Sequence, residues 1–343
     1  MVPGVTQVMR DSGAEVAVFA LRRRSGQALP FMEKSGLDVY FREGNKNVAK
    51  DIVPGLFWLI KQLKAWQPTH LWTSLTKATL LGQIAGQYLN IPVISWQHNA
   101  FLKPWNKHLL RLRKKRSRLW IADSNHIGTM TNKSLGVPSE QIKVWPIFAA
   151  NPEAPVAQCW EPGSAIRIGS LGRLHPNKGY DILLQALNIM KSQGFTPPAP
   201  LEITIAGDGD CRQELTRIIE HSEIDYVHLP GFLSPATDFL ATLHLYIQPS
   251  RNEGFCIAAH EAMQAGLPVI ASSVGEMQFT ISPGNTGYTV PPEDPHALAK
   301  ALIRSLQEPE KLYAMGQTAR DQLLKTYSHD RFRELGQSIL RLI

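Results

Sequence analysis

The pattern of apolar and polar positions over residues 1–150 alternates between two periods. Apolar runs typical of strands lie at 15–21, 37–41, 70–73, 92–96, 119–122 and 142–145. Between them, apolar residues recur at helical spacing over 48–66 and 76–89. In the first of these helices, the face predicted to pack consists of Val53, Leu56, Phe57, Ile60 and Leu63. Strands that alternate with helices predict an α/β domain built on a parallel sheet.

Periodicity fades over 151–164, where Pro, Gly and polar residues accumulate, and we interpret this stretch as a linker. Beyond it, strands are predicted at 166–171, 201–206, 226–229, 243–248, 268–272 and 288–290. Helices are predicted at 180–193, 211–221, 235–241, 255–265 and 295–306, and three further helical segments close the chain, the last over 329–342. We therefore predict two doubly wound domains, over 1–150 and 165–326, with a ligand site in the cleft between them.

One strand, helix, strand unit, over 244–272, carries two carboxylates, Glu253 in its turn and Glu261 inside its helix. Glu261 falls on the small, apolar face that should pack on the sheet, and a buried carboxylate needs a partner. One explanation is a structural ion pair with an Arg or Lys. The other is a ligand, because Glu253 and Gly254 follow the carboxyl end of a strand, where helix N–H groups can hold an anion. We favour a ligand with a phosphate and several hydroxyls.

Two cations follow the first strand of the second domain. Gly172 and Arg173 end that strand, and Lys178 lies just before the next helix. A helix N-terminus beside two cations suits a diphosphate, although surface cations in a solvated loop would look the same. Gly207 opens a GDGD turn after the next strand, which is weak evidence because it lacks the third glycine of a dinucleotide fingerprint.

In the first domain, His98 and Asn99 follow the predicted strand over 92–96. A histidine at that strand end could hydrogen-bond a sugar hydroxyl or exchange a proton, or could simply be a loop residue. Asp123 and Ser124 lie at the next strand end, where Ser124 is a plausible helix N-cap. His, Asp and Glu show no metal-ligand spacing, so we expect no metal.

Composition and cysteine usage set the broad class of protein. The 343 residues are 43% hydrophobic and 19% charged, which is ordinary for a globular protein. There is no apolar run of membrane-spanning length and no signal-like apolar core near the N-terminus. The three cysteines are far apart and form no CxxC pair. We therefore expect a cytoplasmic protein with reduced thiols.

The formal net charge is +7, and much of the positive charge is concentrated over 103–118, which contains eight Lys or Arg and no acidic residue. Trp105, Leu109 and Leu112 recur there at helical spacing, so the segment is typical of a basic amphipathic helix. Such a helix would suit an anionic membrane surface on the inner face of the cell membrane, although a solvated helix face is the alternative. Nucleic acid is disfavoured, because no nucleic-acid-binding motif is present.

The segment over 249–269 (PSRNEGFCIAAHEAMQAGLPV) spaces Glu253 and Glu261 as E-x7-E. With Gly172, Arg173, Lys178 and the turns over 206–209, 229–232 and 286–290, it resembles glycosyltransferase family 4, retaining sugar transferases of GT-B fold. The resemblance covers most of the second domain and is specific there. In the first domain it rests on His98, Asn99 and the stretch 122–125.

The resemblance implies a role for each matching residue. Arg173 and Lys178 would bind the diphosphate of a UDP- or GDP-sugar and neutralise the charge that develops on it, while Glu261 would bind the ribose hydroxyls. Glu253 would contact the transferred sugar, and His98 would approach that sugar from the other domain. The remaining positions implied to line the donor site are Gly172, Gly207, Leu233, Gly254, Phe255, Cys256 and Ile257, and the acceptor side would include Gly4, His98 and Asn99.

The resemblance also implies a fold with two Rossmann-like domains and a C-terminal helix over 327–343 that packs back on the N-terminal domain. Two departures from the family pattern stand out. The strand and glycine-rich loop that usually open the family are not recognisable, and Gly4 would be the remnant of the loop. Either the true start lies upstream or the sheet lacks a central strand. In the stretch over 274–281, Glu276 and Phe279 replace the second Gly and the Glu of a GG-x-P-E segment.

Three hypotheses follow. The first is a retaining transferase that moves a sugar from a nucleotide diphosphate to a lipid-linked or saccharide acceptor, in cell-surface polysaccharide or glycolipid synthesis. The second is a homologue that binds the nucleotide sugar but is inactive or needs a partner. The third, an NAD-dependent enzyme, is disfavoured because the GxGxxG fingerprint is missing.

Overall fold

The computed structural model describes residues 2–22, 29–43, 51–98 and 102–343 of the chain. It divides into two compact units. The N-terminal unit comprises Met1–Phe148 together with Asp330–Ile343, and the C-terminal unit comprises Ala149–His329. Both are α/β units in which every strand pairing is parallel, so the predicted fold class is confirmed.

Strands and helices alternate in the N-terminal unit. Its strands are β1 (Ala17–Ala20), β2 (Asp38–Phe41), β3 (Leu71–Ser74), β4 (Val93–Gln97), β5 (Leu119–Ala122) and β6 (Ile142–Val144). Its helices are α1 (Val2–Asp11), α2 (Leu29–Lys34), α3 (Ile52–Trp66), α4 (Thr76–Leu89), α5 (Pro104–Arg113) and α6 (Asn125–Leu135). The six predicted strands are therefore all present, within two residues of their predicted ends.

The strands of this unit form two sheets instead of the single predicted one. The described part of β1 pairs only with β2, while β3, β4, β5 and β6 form a separate four-stranded sheet in that order. A cavity of about 360 Å³ is lined by residues of both β1 and β3, with apolar side chains such as Val5, Phe19 and Leu63 around it. The edges of two parallel sheets thus border one apolar space.

Two local predictions for this unit are wrong. Gly4 lies inside α1, not in a loop, because the first residues form a regular helix that buries Val5, Val8 and Met9. The packed face of α3 also differs, since Val53 and Phe57 are 60% and 69% exposed, and the buried positions are Gly55, Leu59 and Leu63. The predicted start of this helix, over 48–50, falls outside the described residues.

The basic segment forms α5 followed by a short turn over Lys114–Arg116. Pro104 occupies its first turn, where the missing N–H costs nothing. Leu110 anchors the helix and is fully buried, whereas Trp105 and Leu112 are each 70% exposed. The predicted amphipathic helix is therefore present, with an apolar and basic face open to solvent. In the part of the chain that the structure describes, no helix is both long and apolar enough to cross a membrane.

The C-terminal unit contains one six-stranded sheet. Its strands are β7 (Ile166–Leu171), β8 (Leu201–Ala206), β9 (Val227–Gly231), β10 (Leu245–Gln248), β11 (Val269–Ser272) and β12 (Gly287–Val290), in the order β12-β11-β10-β7-β8-β9. The helices are α7 (Tyr180–Ser192), α8 (Arg212–Ser222), α9 (Ala236–Ala241), α10 (Ile257–Gln264), α11 (Met277–Thr280), α12 (Pro295–Leu306) and α13 (Glu310–Thr326). Its core includes Ile168, Leu183, Ile205 and Ile247, none of which is exposed.

The helices of the C-terminal half differ from the prediction in two respects. After α12 the chain forms two helices, α13 and α14 (His329–Leu340), and not three. The short helix α11 was not predicted, because four residues are too few to show a helical period. In the N-terminal unit, α14 contacts Trp145, whose indole N–H donates to the carbonyl of Phe332 at 3.0 Å.

Candidate functional site

The carboxyl ends of β7 and β10, which are neighbouring strands, bring a cation and a carboxylate together. Lys178 lies in the turn between β7 and α7, and Glu253 lies in the turn between β10 and α10. The Lys178 Nζ donates to Glu253 Oε1 at 2.8 Å, and the two side chains are 25% and 11% exposed. Two residues far apart in sequence thus form one partly buried pair.

A row of buried polar side chains holds Glu253 from the side of the sheet. The Ser250 hydroxyl donates to Glu253 Oε1 at 2.7 Å, and Gln248 donates to Ser250 at 2.8 Å. The Tyr246 hydroxyl donates to the Gln248 side-chain carbonyl at 2.9 Å. Because alternate residues of β10 and the turn after it take part, the sheet itself fixes the carboxylate in position.

Lys178 keeps its charge despite its burial. Burial alone would lower the pKa of Lys178, but the charge and the hydrogen bond of Glu253, together with other neighbouring groups, outweigh that effect and raise it. Burial raises the pKa of the nearby Cys256 thiol far above its usual range, so the thiol stays neutral. An ammonium next to a carboxylate at the end of a parallel sheet can bind an anion on one side and hydroxyls on the other.

Arg251 links the turn after β10 to the turn between β7 and α7. This role was not predicted from the sequence. Its guanidinium donates to both Asp181 oxygens, at 2.8 and 2.6 Å, and to Glu293 at 2.9 Å. It also donates to the carbonyl of Pro176, which begins the turn that carries Lys178. Burial alone would raise the pKa of Asp181, but the hydrogen bonds and the charge of Arg251 lower it.

Glycines allow the turns to approach each other. Gly179, directly after Lys178, has φ of 66°, and a Cβ there would overlap the Pro249 carbonyl oxygen. Gly207 has φ of 143°, and a Cβ there would overlap the Gly172 carbonyl oxygen. At Gly172 a Cβ would lie 2.8 Å from the hydroxyl of the buried Tyr180, whose pKa burial raises to about 12. Side chains at these three positions would force the strand ends apart.

The helix α10 begins one residue after Cys256, which adopts a left-handed conformation with φ of 65°. Gly254, Phe255 and Cys256 are buried, whereas Ile257 is 39% exposed. Glu261 is half-buried at the border of the packed face, and burial raises the pKa of its carboxyl. The prediction that its helical face is packed is confirmed for Ala262 and Ala265, which are buried.

The other predicted donor residues surround this pair less closely. Arg173 is 64% exposed, and its guanidinium lies 3.2 Å from Asp210. Leu233 is half-buried after β9, next to Phe232, which is 82% exposed. In the segment that departs from the family pattern, Glu276 is buried and donates its backbone N–H to the Gly254 carbonyl at 2.9 Å, while Phe279 is 63% exposed. Glu276 therefore lies beside the turn that carries Glu253.

In the N-terminal unit, His98 follows β4 and takes part in a chain of hydrogen bonds. Its Nδ1 lies 3.0 Å from both Asp123 oxygens, and its Nε2 lies 2.6 Å from the Ser74 hydroxyl. Ser124 caps α6 as predicted, accepting from the Ile127 N–H at 3.2 Å. Asn99 lies outside the described residues. Gly4 is in α1, where a Cβ would lie 3.8 Å from the Phe332 ring.

A metal site requires several His, Cys, Asp or Glu side chains close together. Within residues 2–22, 29–43, 51–98 and 102–343, no group of three or more His, Cys, Asp and Glu side chains could hold a metal ion. All three cysteines are free, and only Cys256 is buried.

A parallel α/β unit whose strand ends gather a cation, a carboxylate and close-packed glycines is typical of proteins that bind nucleotides. Comparison with known families narrows this class. The model for "Glycosyl transferases group 1" matches residues 165–308, and the model for "Glycosyltransferase Family 4" matches residues 5–148. The chain therefore belongs to the group 1, family 4 glycosyltransferases, as its sequence motifs predicted.

Curated relatives match over part of their length. D-inositol 3-phosphate glycosyltransferase of Corynebacterium urealyticum is 31% identical over 46% of this chain and 39% of that protein. The putative colanic acid biosynthesis glycosyltransferase WcaL of Salmonella typhimurium is 26% identical over 62% of this chain and 53% of its own. The amylovoran biosynthesis glycosyltransferase AmsK of Erwinia amylovora is 30% identical over 52% and 45%. The chain thus spans about half the length of these relatives.

Solved structures match over almost the whole chain. Anabaena Alr3699/HepE, solved in complex with UDP-glucose, has a TM-score of 0.82 and 20% identity, covering 100% of this chain and 95% of that one. The sucrose-phosphate synthase (tll1590) of Thermosynechococcus elongatus has a TM-score of 0.81 and 18% identity, covering 98% and 91%. At these identities the likeness shows the fold, which is GT-B.

Proposed function

We propose that this protein is a retaining glycosyltransferase that moves a sugar from a UDP- or GDP-sugar to a lipid-linked or saccharide acceptor, in cell-surface polysaccharide or glycolipid synthesis. The observation that carries the proposal is the Lys178–Glu253 pair, 2.8 Å apart at the ends of two neighbouring strands and clamped by Arg251. Relatives named for colanic acid and amylovoran biosynthesis, and a structural neighbour solved with UDP-glucose, support the substrate classes.

In the proposed reaction, Lys178 and Arg173 bind the donor diphosphate and offset the charge that grows on it as the glycosidic bond breaks. Glu253 accepts hydrogen bonds from the transferred sugar, and Glu261 accepts them from the ribose. Backbone N–H groups at the start of α10 hold a phosphate or sugar oxygen. His98 contacts a hydroxyl of the transferred sugar. The leaving phosphate helps the acceptor hydroxyl lose its proton as the new bond forms on the same face, which retains the anomeric configuration.

The test is a transfer assay with radiolabelled UDP- and GDP-sugars, chosen by a thermal-shift screen of nucleotide sugars. Lys178→Ala and Glu261→Ala should abolish transfer and donor hydrolysis. Matched controls are Lys191→Ala, on an exposed lysine paired with Glu223, and Glu220→Ala, on an exposed position of α8; both should keep the wild-type rate. Wild-type rates in Lys178→Ala and Glu261→Ala would contradict the proposal. The anomeric coupling constant of the product, measured by proton NMR, tests retention.

The alternative is a homologue that binds the nucleotide sugar without turnover. Calorimetry distinguishes the two, because this alternative requires UDP or GDP to bind the chain while no sugar is released or transferred.

We also propose that α5 rests on an anionic membrane surface, where a lipid-linked acceptor would be found. Trp105 and Leu112 are each 70% exposed beside the exposed Arg111, Lys115 and Arg116. Apolar side chains next to cations suit the boundary between lipid headgroups and acyl chains. Sedimentation with phosphatidylserine vesicles tests this, since Trp105→Ala and Lys115→Gln should each weaken binding. Binding that is indifferent to anionic lipid and to both substitutions would contradict it.

A further inference from the structure

Three strand ends in the N-terminal unit place a serine, a histidine and an aspartate in one row. β3, β4 and β5 are consecutive strands of the four-stranded sheet. Ser74 is the last residue of β3, His98 follows the last residue of β4, and Asp123 follows the last residue of β5. Because parallel strands end at the same edge of a sheet, the three side chains meet there without any loop having to reach across.

The hydrogen bonds of this row define the protonation of the His98 ring. Both Asp123 oxygens lie 3.0 Å from His98 Nδ1, and a carboxylate only accepts hydrogen bonds. Nδ1 of the neutral ring therefore carries the proton, and Nε2 is left as an acceptor. The Ser74 hydroxyl, 2.6 Å from Nε2, is the group that donates to it.

The carboxylate end of the row is held rigidly. Asp123 is 1% exposed and also accepts from the Trp96 indole N–H at 2.6 Å. Trp96 stacks on the His98 ring, with centroids 6.0 Å apart and planes 16° apart, and on Trp145, at 5.3 Å and 25°. The imidazole therefore has its Nδ1 edge and one face fixed by buried groups.

The other end of the row is open. His98 is only 12% exposed, but Ser74 is an exposed residue. The Nε2 atom thus points toward the most exposed member of the row, which solvent and ligands can reach. A ligand hydroxyl that displaced the Ser74 hydroxyl could donate a hydrogen bond to His98 Nε2, which is held in a fixed position.

We propose that Asp123 is a positioning residue that holds His98 with Nδ1 protonated, so that Nε2 accepts a hydrogen bond from a sugar hydroxyl, and that the Ser74 hydroxyl occupies this position in the free protein. This inference rests on the proposed function for the choice of a sugar hydroxyl as the ligand. It assigns new roles to Asp123 and Ser74, while the row itself depends only on the geometry of the N-terminal unit.

The tautomer is tested on the full chain labelled with ¹⁵N-histidine. A long-range ¹H–¹⁵N correlation spectrum, with the His98 signal assigned from His98→Gln, should show Nδ1 protonated and Nε2 unprotonated. Asp123→Ala should shift His98 toward the other tautomer, and Asp123→Asn, which keeps the side-chain shape, should shift it in the same direction. Asp38→Ala, on an exposed aspartate of the same unit, should leave the signal unchanged. An Nε2-protonated ring in the wild-type chain, or an unchanged signal in both Asp123 variants, would overturn the proposal.

Transfer kinetics test whether the fixed tautomer matters. Asp123→Asn should lower kcat about tenfold or more, because the misoriented ring no longer accepts the sugar hydroxyl, while melting temperature stays near that of the wild type. A wild-type kcat in Asp123→Asn with a changed tautomer would overturn the positioning role.

If the wild-type chain transfers no sugar at all, the proposed function fails. Addition of UDP-glucose then decides the hydroxyl contact, because a shift of the His98 Nε2 signal supports it and an unchanged signal overturns it.

Discussion

His260 is a fully buried histidine in the helix that carries Glu261. Its ring stacks on Phe255 with centroids 4.0 Å apart and meets the edge of Tyr327 at 5.2 Å. Nδ1 lies 2.9 Å from the Cys256 carbonyl oxygen, so Nδ1 carries the proton of the neutral ring. Burial lowers the pKa of His260 to about 4. The turn that follows Glu253 thus depends on an uncharged imidazole.

We predict that the C-terminal unit loses stability as pH falls from about 6.5 to about 4. In this range His260 binds a proton in the unfolded state but stays neutral in the folded state. Above pH 6.5 the ring is neutral in both states and costs no stability, and the loss grows as pH falls, reaching about 3 kcal/mol at most at the folded pKa. Urea unfolding at several pH values measures it.

His260→Gln should flatten that pH dependence, although it also lowers the overall stability by removing the ring. His228→Gln, on an exposed histidine of the same unit, should keep the wild-type slope. Carboxylates that titrate in the same range contribute equally to all three proteins, so the difference between the variants isolates His260. Equal slopes in all three would contradict the prediction.

At the residue scale, the sequence predicted the candidate site residues but not the side chains that hold them in place. Glu253, Lys178 and His98 were predicted because each follows an apolar strand, and strand ends are recognisable in sequence. Arg251 was missed because its partners Asp181 and Glu293 are distant in sequence, and no local pattern shows a three-way contact. His260 was missed because a histidine on a helix shows no burial until the packing of that helix is known.

At the scale of elements, Arg251 joins the turn after β10 to the turn before α7. We predict that Arg251→Lys lowers the free energy of unfolding by about 1–2 kcal/mol, because a lysine lacks the planar pair of donors that binds both Asp181 oxygens and cannot also reach Glu293 and the Pro176 carbonyl. The turn that carries Lys178 should also loosen, and the affinity for UDP or GDP should fall about tenfold. Urea unfolding and calorimetry measure the two effects. Arg217→Lys, on an exposed position of α8, is the control and should change neither. Unchanged stability would show that the turns hold together without the clamp.

The contact between α14 and Trp145 offers a second test at this scale. Trp145 is fully buried, and a Cβ at Gly336 would overlap its ring. We predict that Gly336→Ala destabilises the N-terminal unit by about 1–3 kcal/mol, since the ring has no room to move.

The control for this substitution is another helical glycine of the same unit. At Gly55 in α3, a Cβ would lie 3.9 Å from Leu81, an ordinary contact. Gly55→Ala should therefore be neutral or stabilise the helix by about 0.5–1 kcal/mol. Differential scanning calorimetry of the two variants measures the contrast. Similar melting temperatures for both would show that the Trp145 contact adjusts without cost.

Elements were predicted more accurately than the faces they present. The strands over 166–171 and 201–206 were predicted to the residue, because short apolar runs between turn residues have few alternatives. The packed face of α3 was wrong because apolar residues occupy most of its circumference, so that spacing alone does not select one stripe. In α5, helical spacing grouped Leu109 with Trp105 and Leu112 as the apolar face, whereas Leu110 is the buried residue.

At the scale of the whole molecule, two alternating α/β units were predictable and the pairing of strands was not. The alternation of periods is a local property, and it gave the order of strands and helices in both units. Which strands pair depends on contacts between distant segments, so the separation of β1 and β2 from the other four strands of the N-terminal unit could not be seen in the pattern.

The gap between those two sheets leads to the last prediction. β1 and β3 each have a described strand on one side only, and the apolar cavity that both line holds about 360 Å³. A hydrocarbon chain would fill the space but would leave the N–H and C=O groups of both edges unpaired, whereas an extended peptide would pair with them. We therefore expect an apolar, extended segment to stabilise the N-terminal unit. The segment should be joined ahead of α1, because the described strands of this unit are parallel and successive strands are connected through a helix.

The experiment adds a short segment of alternating Val and Ile, with a Gly-rich connection, to the N-terminus. Burial of four such side chains contributes about 6–12 kcal/mol, and ordering their backbone costs about 4–8 kcal/mol. A net gain of a few kcal/mol in the free energy of unfolding is expected in urea. The matched control carries the same segment with two residues replaced by Pro, which removes N–H donors and should abolish the gain. Equal stability of the extended chain, its Pro control and the original chain would show that the cavity does not accept a strand.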